Sequence, residues 1–154
     1  KELAKEGLEV FDQTALLKTL MPPAGTLTKR EPTAEERADM EMALAMAKEI
    51  GRLDIGQTAV VKAKAVMALE AIEGTDACIR RGGELSGGGA AVGKAAKPQQ
   101  DMRFDVPAIG TATIESMIAA GAKALAIEAG RVLVVDQAKV AALADENGIA
   151  IAAI

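Results

Sequence analysis

Only two aromatic side chains, Phe11 and Phe104, serve a chain of 154 residues in which half of all residues are hydrophobic. With no Trp or Tyr, the core must be assembled from Ala, Val, Leu, Ile and Met. The length suits one domain with a sizeable core. The same scarcity removes the aromatic platforms on which single-stranded nucleic acid stacks. Eighteen basic against 22 acidic residues, a formal charge of −4, also argue against a DNA-binding surface. The sequence contains no histidine and one cysteine, Cys78. Triads built on imidazole, His-ligated zinc and disulfide frameworks are therefore outside its reach. Chemistry must come from Asp, Glu, Lys, Arg, Ser, Thr or backbone amides, and hard cations such as Mg²⁺ bound through carboxylates stay possible. No apolar run reaches the roughly 18 residues that a membrane span needs.

Short apolar segments alternate with helical patterns, which predicts an α/β (α+β) domain with a mixed sheet and flanking helices. Lys1–Glu6 reads as a helix tail, Leu8–Phe11 as a short strand and Thr14–Met21 as a short helix stopped by Pro22-Pro23. This resembles the last unit of an α/β domain, followed by a linker over 22–32. Thr33-Ala34-Glu35-Glu36 spells a capping box and opens a helix expected to stop at Gly51. Gln57–Lys62 and Ala65–Ile72 predict a hairpin, although the turn Lys62-Ala63-Lys64 lacks the usual Gly or Asn. A helix from Thr75 is expected to end at Gly82-Gly83, and Gly89–Ala95 and Met102–Val106 are expected to be extended. Beyond them come a helix over Thr111–Ala120 and strands at Ala124–Glu128 and Val132–Val135 about a Gly130 turn. A helix capped by Asp136 and a strand at Ile149–Ile154 complete the pattern.

Three segments bear on chemistry. Gly88–Ala95 nearly spells a phosphate-binding P-loop, but Ala95 stands where Ser or Thr should hold Mg²⁺, and Pro98 follows too soon for the required helix. A Gly-rich strand is the simpler reading, with Lys94 still able to face a phosphate. Lys97-Pro-Gln-Gln-Asp-Met-Arg-Phe-Asp-Val-Pro107, if extended, places Gln99, Asp101, Arg103 and Asp105 on one face. Carboxylates flanking a guanidinium, with Lys97 nearby, suit a phosphoanhydride held by Mg²⁺. A solvated, mutually paired strand face would look the same. Glu70-Ala-Ile-Glu73-Gly-Thr75-Asp76 puts acids at a strand end and Thr75-Asp76 at a helix start, where they serve either as caps or as an anion and metal site. Cys78 reads as buried, Met40, Met42 and Met46 as core, and Glu128–Arg131 as a solvated hairpin tip.

Together, Glu70–Asp76, Lys94–Pro107, Gly110–Glu115, Ile127–Arg131 and Arg52–Gln57 resemble the C-terminal domain of LpxI-type UDP-2,3-diacylglucosamine pyrophosphatases, over about Thr26 to Ile154. The resemblance implies that residues 1–25 are the end of a Rossmann-like N-terminal domain plus linker, and that 26–154 form the catalytic domain. It implies Mg²⁺-dependent hydrolysis of UDP-2,3-diacylglucosamine to lipid X and UMP in lipid A biosynthesis. The ligand would be enclosed against the N-terminal domain, at the cytoplasmic surface of the inner membrane of a Gram-negative bacterium. A homodimer is a further partner to expect, and nucleic acid is not. On this reading Asp101 is the essential carboxylate, holding metal or orienting water, with Asp76, Glu73 and Asp105 as further metal ligands. Lys97, Arg103 and Lys94 would neutralise phosphate charge, and Thr75 and Gln100 would contact the substrate. The rival is a non-catalytic domain that binds a nucleotide or phosphorylated ligand without metal; a structural or oligomerisation module would scatter these residues.

Overall fold

The computed structural model describes residues 17–102 and 105–154. The readings for 1–16, and for Arg103 and Phe104, lie outside the described residues. A six-stranded mixed sheet organises the rest: β1 (Gly25–Thr26), β2 (Thr58–Lys62), β3 (Ala65–Leu69), β4 (Ala91–Lys94), β6 (Ala124–Ile127) and β8 (Ala150–Ala153), in the spatial order β1-β8-β6-β4-β2-β3. β4, β6 and β8 run parallel, and β2 is antiparallel to both β3 and β4. A second, two-stranded parallel sheet pairs β5 (Ala108–Ile109) with β7 (Leu133–Val134). The helices are α1 (Ala34–Arg52), α2 (Thr75–Ser86), α3 (Thr111–Ala119) and α4 (Gln137–Glu146).

The two faces of the main sheet carry side chains of different size. Ala59, Ala91, Ala124, Ala126 and Ala152 pack with Met40, Leu44 and Ala47 of α1 in one core cluster. Val60, Val92, Leu125, Ile127 and Ile151, their alternating neighbours, pack with Ile79, Ile114, Met117 and Val140 of α2, α3 and α4 in the other. Small residues on one face let α1 lie close to the strands. At Gly93 of β4 a Cβ would come within 2.4 Å of the Ala43 and Leu44 backbone of α1. Met40 is wholly buried, and the core is aliphatic as the composition requires.

α1 begins with the expected capping box: Thr33 Oγ1 accepts from Glu36 N–H, and the Glu36 carboxylate accepts from Thr33 N–H. Glu36 also holds Arg30, whose guanidinium donates to Lys123 and Gly148 carbonyls. The stretch read as a linker is therefore bonded to the sheet's edge, with Leu27 N–H donating to the Ile151 carbonyl at 2.8 Å and Ile151 N–H to Thr28 Oγ1 at 3.0 Å.

Elsewhere packing overrides local signals. α2 runs through Gly82 and Gly83 rather than stopping there, because those positions face Val60 and Ala120 at distances that leave no room for a Cβ. β6 and β7 are not a hairpin but belong to different sheets. Asp136 stands before α4 but makes no side-chain cap; its carboxylate pairs with Lys139. No strand forms over 100–102 or 105–107. Gln100 N–H bonds back to the Lys97 carbonyl in a turn that Pro98 favours, and Asp105 N–H bonds to the Asp101 carbonyl, so a period-two face does not organise these side chains.

The β2–β3 turn places both Ala63 (φ +50°) and Lys64 (φ +60°) in the left-handed region, as a two-residue type I′ loop demands. Neither residue favours it. Buried Asp39 of α1 supplies the compensation, its two carboxylate oxygens accepting from Ala63 N–H (2.8 Å) and Lys64 N–H (2.7 Å). Asp39→Ala should cost about 1–3 kcal/mol in urea unfolding, and adding Lys64→Gly should restore part of it by removing the side-chain penalty. An unchanged midpoint in Asp39→Ala would exclude this account of the turn.

Candidate active site at the carboxyl edge of the sheet

Open α/β sheets bind ligands beyond the carboxyl ends of their parallel strands. Here that edge receives the end of β4 at Lys94, the end of β6 before Glu128, and, through the antiparallel register of Thr58 with Lys94, the start of β2 and the end of β3. Glu70, Thr75, Lys94 and the loop that follows Lys94 therefore meet by topology rather than by sequence proximity.

Lys94 is 5 % exposed, and its ammonium donates to Thr75 Oγ1 at 2.7 Å. Thr75 in turn donates to the Glu70 carboxylate, 3.3 Å to each oxygen, and Thr58 Oγ1 lies 3.2 Å from Thr75 Oγ1. With its one proton directed at Glu70, Thr75 accepts from both Lys94 and Thr58. Thr75 is thus not the cap of α2. That position belongs to Gly74, whose φ of +84° suits glycine, and it has no side-chain cap. Glu70 is itself buried and also accepts from Gln57 N–H, and the Gln57 Oε1 is buried with no partner among the described residues. Burial lowers the Lys94 pKa, while the charges of Glu70 and Asp76 oppose the shift. Cys78 lies beneath, its thiol pushed up to about 12 by burial, which makes it packing rather than a nucleophile.

The remaining site residues cluster less tightly. Lys97 pairs with Asp54 at 2.7 Å, and Gln99 Nε2 donates to the Gly51 carbonyl, so the loop after β4 rests on the end of α1. Its bond with Lys97 holds the Asp54 carboxyl below its usual range. Gln100 Oε1 accepts from Lys97 N–H. Asp101 is half-buried and engaged in an interaction, and Asp105 is exposed. Asp76 is half-buried in the first turn of α2. Glu73 is exposed and ion-paired with Arg81, whose hydrogen bond lowers the Glu73 pKa; it does not join the Lys94 group. Among the described residues no three acidic side chains converge as a metal cage.

Of the two acids at the end of β3 the sequence points to Glu73 rather than Glu70, and it points to solvent for Glu128. Glu70 and Ala68 share the buried face at the end of β3, and strand alternation could have marked Glu70 over Glu73. Glu128, read as part of a solvated tip, accepts from Ala96 N–H at 3.0 Å and is flanked by Lys48 and Arg131. The pairing with Arg131 is local and looks like an exposed i,i+3 ion pair, whereas the partners that set its burial, Ala96 and Lys48, lie 32 and 80 residues away in the chain.

This is an α/β domain whose buried lysine, threonine and carboxylates gather at the carboxyl ends of its parallel strands. The family model of the LpxI C-terminal domain matches residues 23–152. The chain belongs to the LpxI family through that domain. It is 45 % identical over 156 aligned positions to the UDP-2,3-diacylglucosamine pyrophosphatase LpxI of Caulobacter vibrioides. The alignment covers 96 % of this chain and 56 % of that relative, so the chain spans little more than half the relative's length.

The depressed Lys94 pKa fixes the sign of a pH effect. Below that pKa both folded and unfolded chains hold the proton, and the fold bears the cost of a buried charge. Between it and the unreshaped value of 10.5 only the unfolded chain stays protonated, so stability should rise with pH across that interval. Lys94→Met should flatten the rise in urea midpoints. A slope equal to that of the unsubstituted chain would show that Lys94 is not its source.

Proposed function

We propose that this chain is the catalytic C-terminal part of an enzyme that hydrolyses the pyrophosphate bond of UDP-2,3-diacylglucosamine, yielding lipid X and UMP in lipid A biosynthesis. The observation that carries the proposal is the Lys94–Thr75–Glu70 group, set beside the Lys97–Asp101 loop at a ligand-binding edge, in a chain 45 % identical to a relative named for this activity. On this reading residues 1–25 end a preceding Rossmann-like domain, and the substrate lies between that domain and this edge. The enzyme works in the cytoplasm and meets the inner membrane through its lipid substrate. No helix among the described residues is long and apolar enough to cross a membrane, in keeping with surface access.

Lys94 has three N–H donors, of which Thr75 takes one, leaving the ammonium able to bind a phosphate oxygen. The charges of Glu70 and Asp76 offset part of the cost that burial imposes on the Lys94 ammonium. Lys97, on the adjoining loop, and Arg103 supply further cations, and Gln100 orders the loop through Lys97 N–H. Asp101 orients water toward phosphorus. Mg²⁺, when bound, would neutralise pyrophosphate charge. It takes one or two carboxylates together with phosphate and water oxygens, so Asp101 with Asp76 suffices chemically and no three-carboxylate cage is needed. Asp105 is exposed and available as a further donor, whereas Glu73 is already neutralised by Arg81.

Asp101→Ala in the intact protein should lower UMP release from UDP-2,3-diacylglucosamine by about 10²-fold or more, with the circular dichroism of the fold unchanged. EDTA should stop the unsubstituted enzyme and added Mg²⁺ restore it. Near-normal release by Asp101→Ala would remove that residue's role, and release indifferent to chelation would remove the metal's.

A further inference from the structure

Glu128 has no part in the chemistry above, yet it is built into the same edge. Its side chain is 13 % exposed although it follows the last residue of β6. The backbone N–H of Glu128 donates to the Lys94 carbonyl at 3.1 Å, continuing the parallel ladder one step past the strand. Its Oε2 accepts from Ala96 N–H at 3.0 Å. Ala95, between them, donates to the Gln57 carbonyl at 3.0 Å. The chain leaving Lys94 is thus gripped alternately from β6 and from the start of β2. Ala96 lies beyond the ladder, where a buried N–H needs a partner from somewhere, and the Glu128 side chain is that partner.

The second carboxylate oxygen is held from two sides, 3.3 Å from Lys48 Nζ and 3.6 Å from Arg131 Nη1. Those cations are 46 % and 40 % exposed, and ion pairs of that kind contribute little to stability. They face Oε1 only, and the bond that fixes Ala96 is made by Oε2, held in place by the reach of the Glu128 side chain from the end of β6. Ala96 immediately precedes Lys97, so a shift at Ala96 is passed directly to Lys97 and along the turn to Asp101.

We propose that Glu128 is a positioning residue for the hydrolysis: through Ala96 N–H it sets the path of the Ala95–Asp101 loop and so the placement of Lys97 and Asp101 against Lys94. The proposal rests on the pyrophosphatase reading. It assigns the work to the acceptor oxygen and its reach, not to the negative charge. Glu128→Gln keeps an oxygen at the same distance, whereas Glu128→Asp keeps the charge but withdraws it by one methylene.

Misplacement of a reacting group by about 1 Å can cost about 10²-fold in rate. In a UMP-release assay on the intact protein, Glu128→Ala and Glu128→Asp should each lose at least about 30-fold in kcat, with KM changed less than about threefold. Glu128→Gln, Lys48→Met and Arg131→Met should stay within about threefold of the unsubstituted kcat. Exchange of the Ala96 amide, read by NMR without substrate, should accelerate in the Ala and Asp variants and not in Gln. A Glu128→Asp variant as active as Glu128→Gln or more so would overturn the proposal, as would a folded Glu128→Ala with unchanged kcat. If Glu128→Ala does not fold, the order of Gln and Asp still decides. Absence of UMP release by the unsubstituted protein would instead strike the hydrolase reading, leaving the Ala96 exchange order as the test of Glu128.

Discussion

The close contact between α1 and the alanine face of the sheet is the constraint on which the rest of the molecule depends. A helix packed on strands bearing Val or Ile must stand off by the size of those side chains. Here the strands present Ala59, Ala91, Ala124, Ala126 and Ala152, with Gly93 where the helix backbone comes nearest. Interiors pack as densely as organic crystals, so one added methyl at Gly93 has nowhere to go. The close approach has consequences at both ends of α1. Near its start, Asp39 reaches the β2–β3 turn. At its end, a Cβ at Gly51 would lie 3.4 Å from Lys97 Cα, and the Gly51 carbonyl takes Gln99. The same packing that fills the core seats the loop carrying the candidate catalytic residues. An aromatic-poor composition is what such a seat requires on this face.

The charged groups at the carboxyl edge are costly to bury, and Lys94, Thr75 and Glu70 are arranged to answer one another. An ammonium inside a protein loses hydration, which the opposite charge of Glu70 and the hydroxyl of Thr75 partly replace. Such networks give little net stability, because desolvation offsets attraction. Their value lies in geometry: Lys94 is held by the strand beneath it and by Thr75 at the start of α2, and Thr75 is held by Glu70 just past the end of β3. Thr75 bonds the Lys94 nitrogen directly and Glu70 acts on it through Thr75 and by its charge, so displacement of α2 or of the end of β3 disturbs the group.

Much of this was legible along the chain, and the exceptions share a cause. The capping box at Thr33 and Glu36 and the strands at the β2 and β6 positions are local signals, expressed within a few residues. So was the departure of Gly88–Ala95 from a true P-loop, and those residues lead into β4 rather than a helix. Gly82 and Gly83 misled because glycine punctuates chains and also permits contact, and only Val60 and Ala120, far away in sequence, decide between the two. The Lys97–Asp105 stretch misled because its alternating polar pattern resembles a strand, whereas Pro98 and the Lys97–Gln100 bond turn it. At the site, Thr75 and Lys94 were named from the sequence and meet in space. Glu70 was passed over for Glu73, and Glu128 for solvent, because burial is set by the partner strand and not by the residue itself.

The absence of histidine acquires meaning against this geometry. A chain without imidazole has no side chain that ordinarily exchanges protons near neutrality. The groups brought to this edge are carboxylates, lysines and a hydroxyl, and Cys78 is held protonated by burial. Phosphoanhydride hydrolysis tolerates that inventory better than acyl transfer does. A phosphate leaving group departs as an anion and needs charge neutralisation more than a proton, and fixed cations supply it without proton transfer. For the proposed reaction such a site needs accurate placement of lysine and carboxylate, and the alanine face, the Gly51 contact and the Ala96 bond are what seat the loop after β4. On the proposed pyrophosphatase reading, the lysines and carboxylates at this edge and the packing that fixes the loop serve the same reaction.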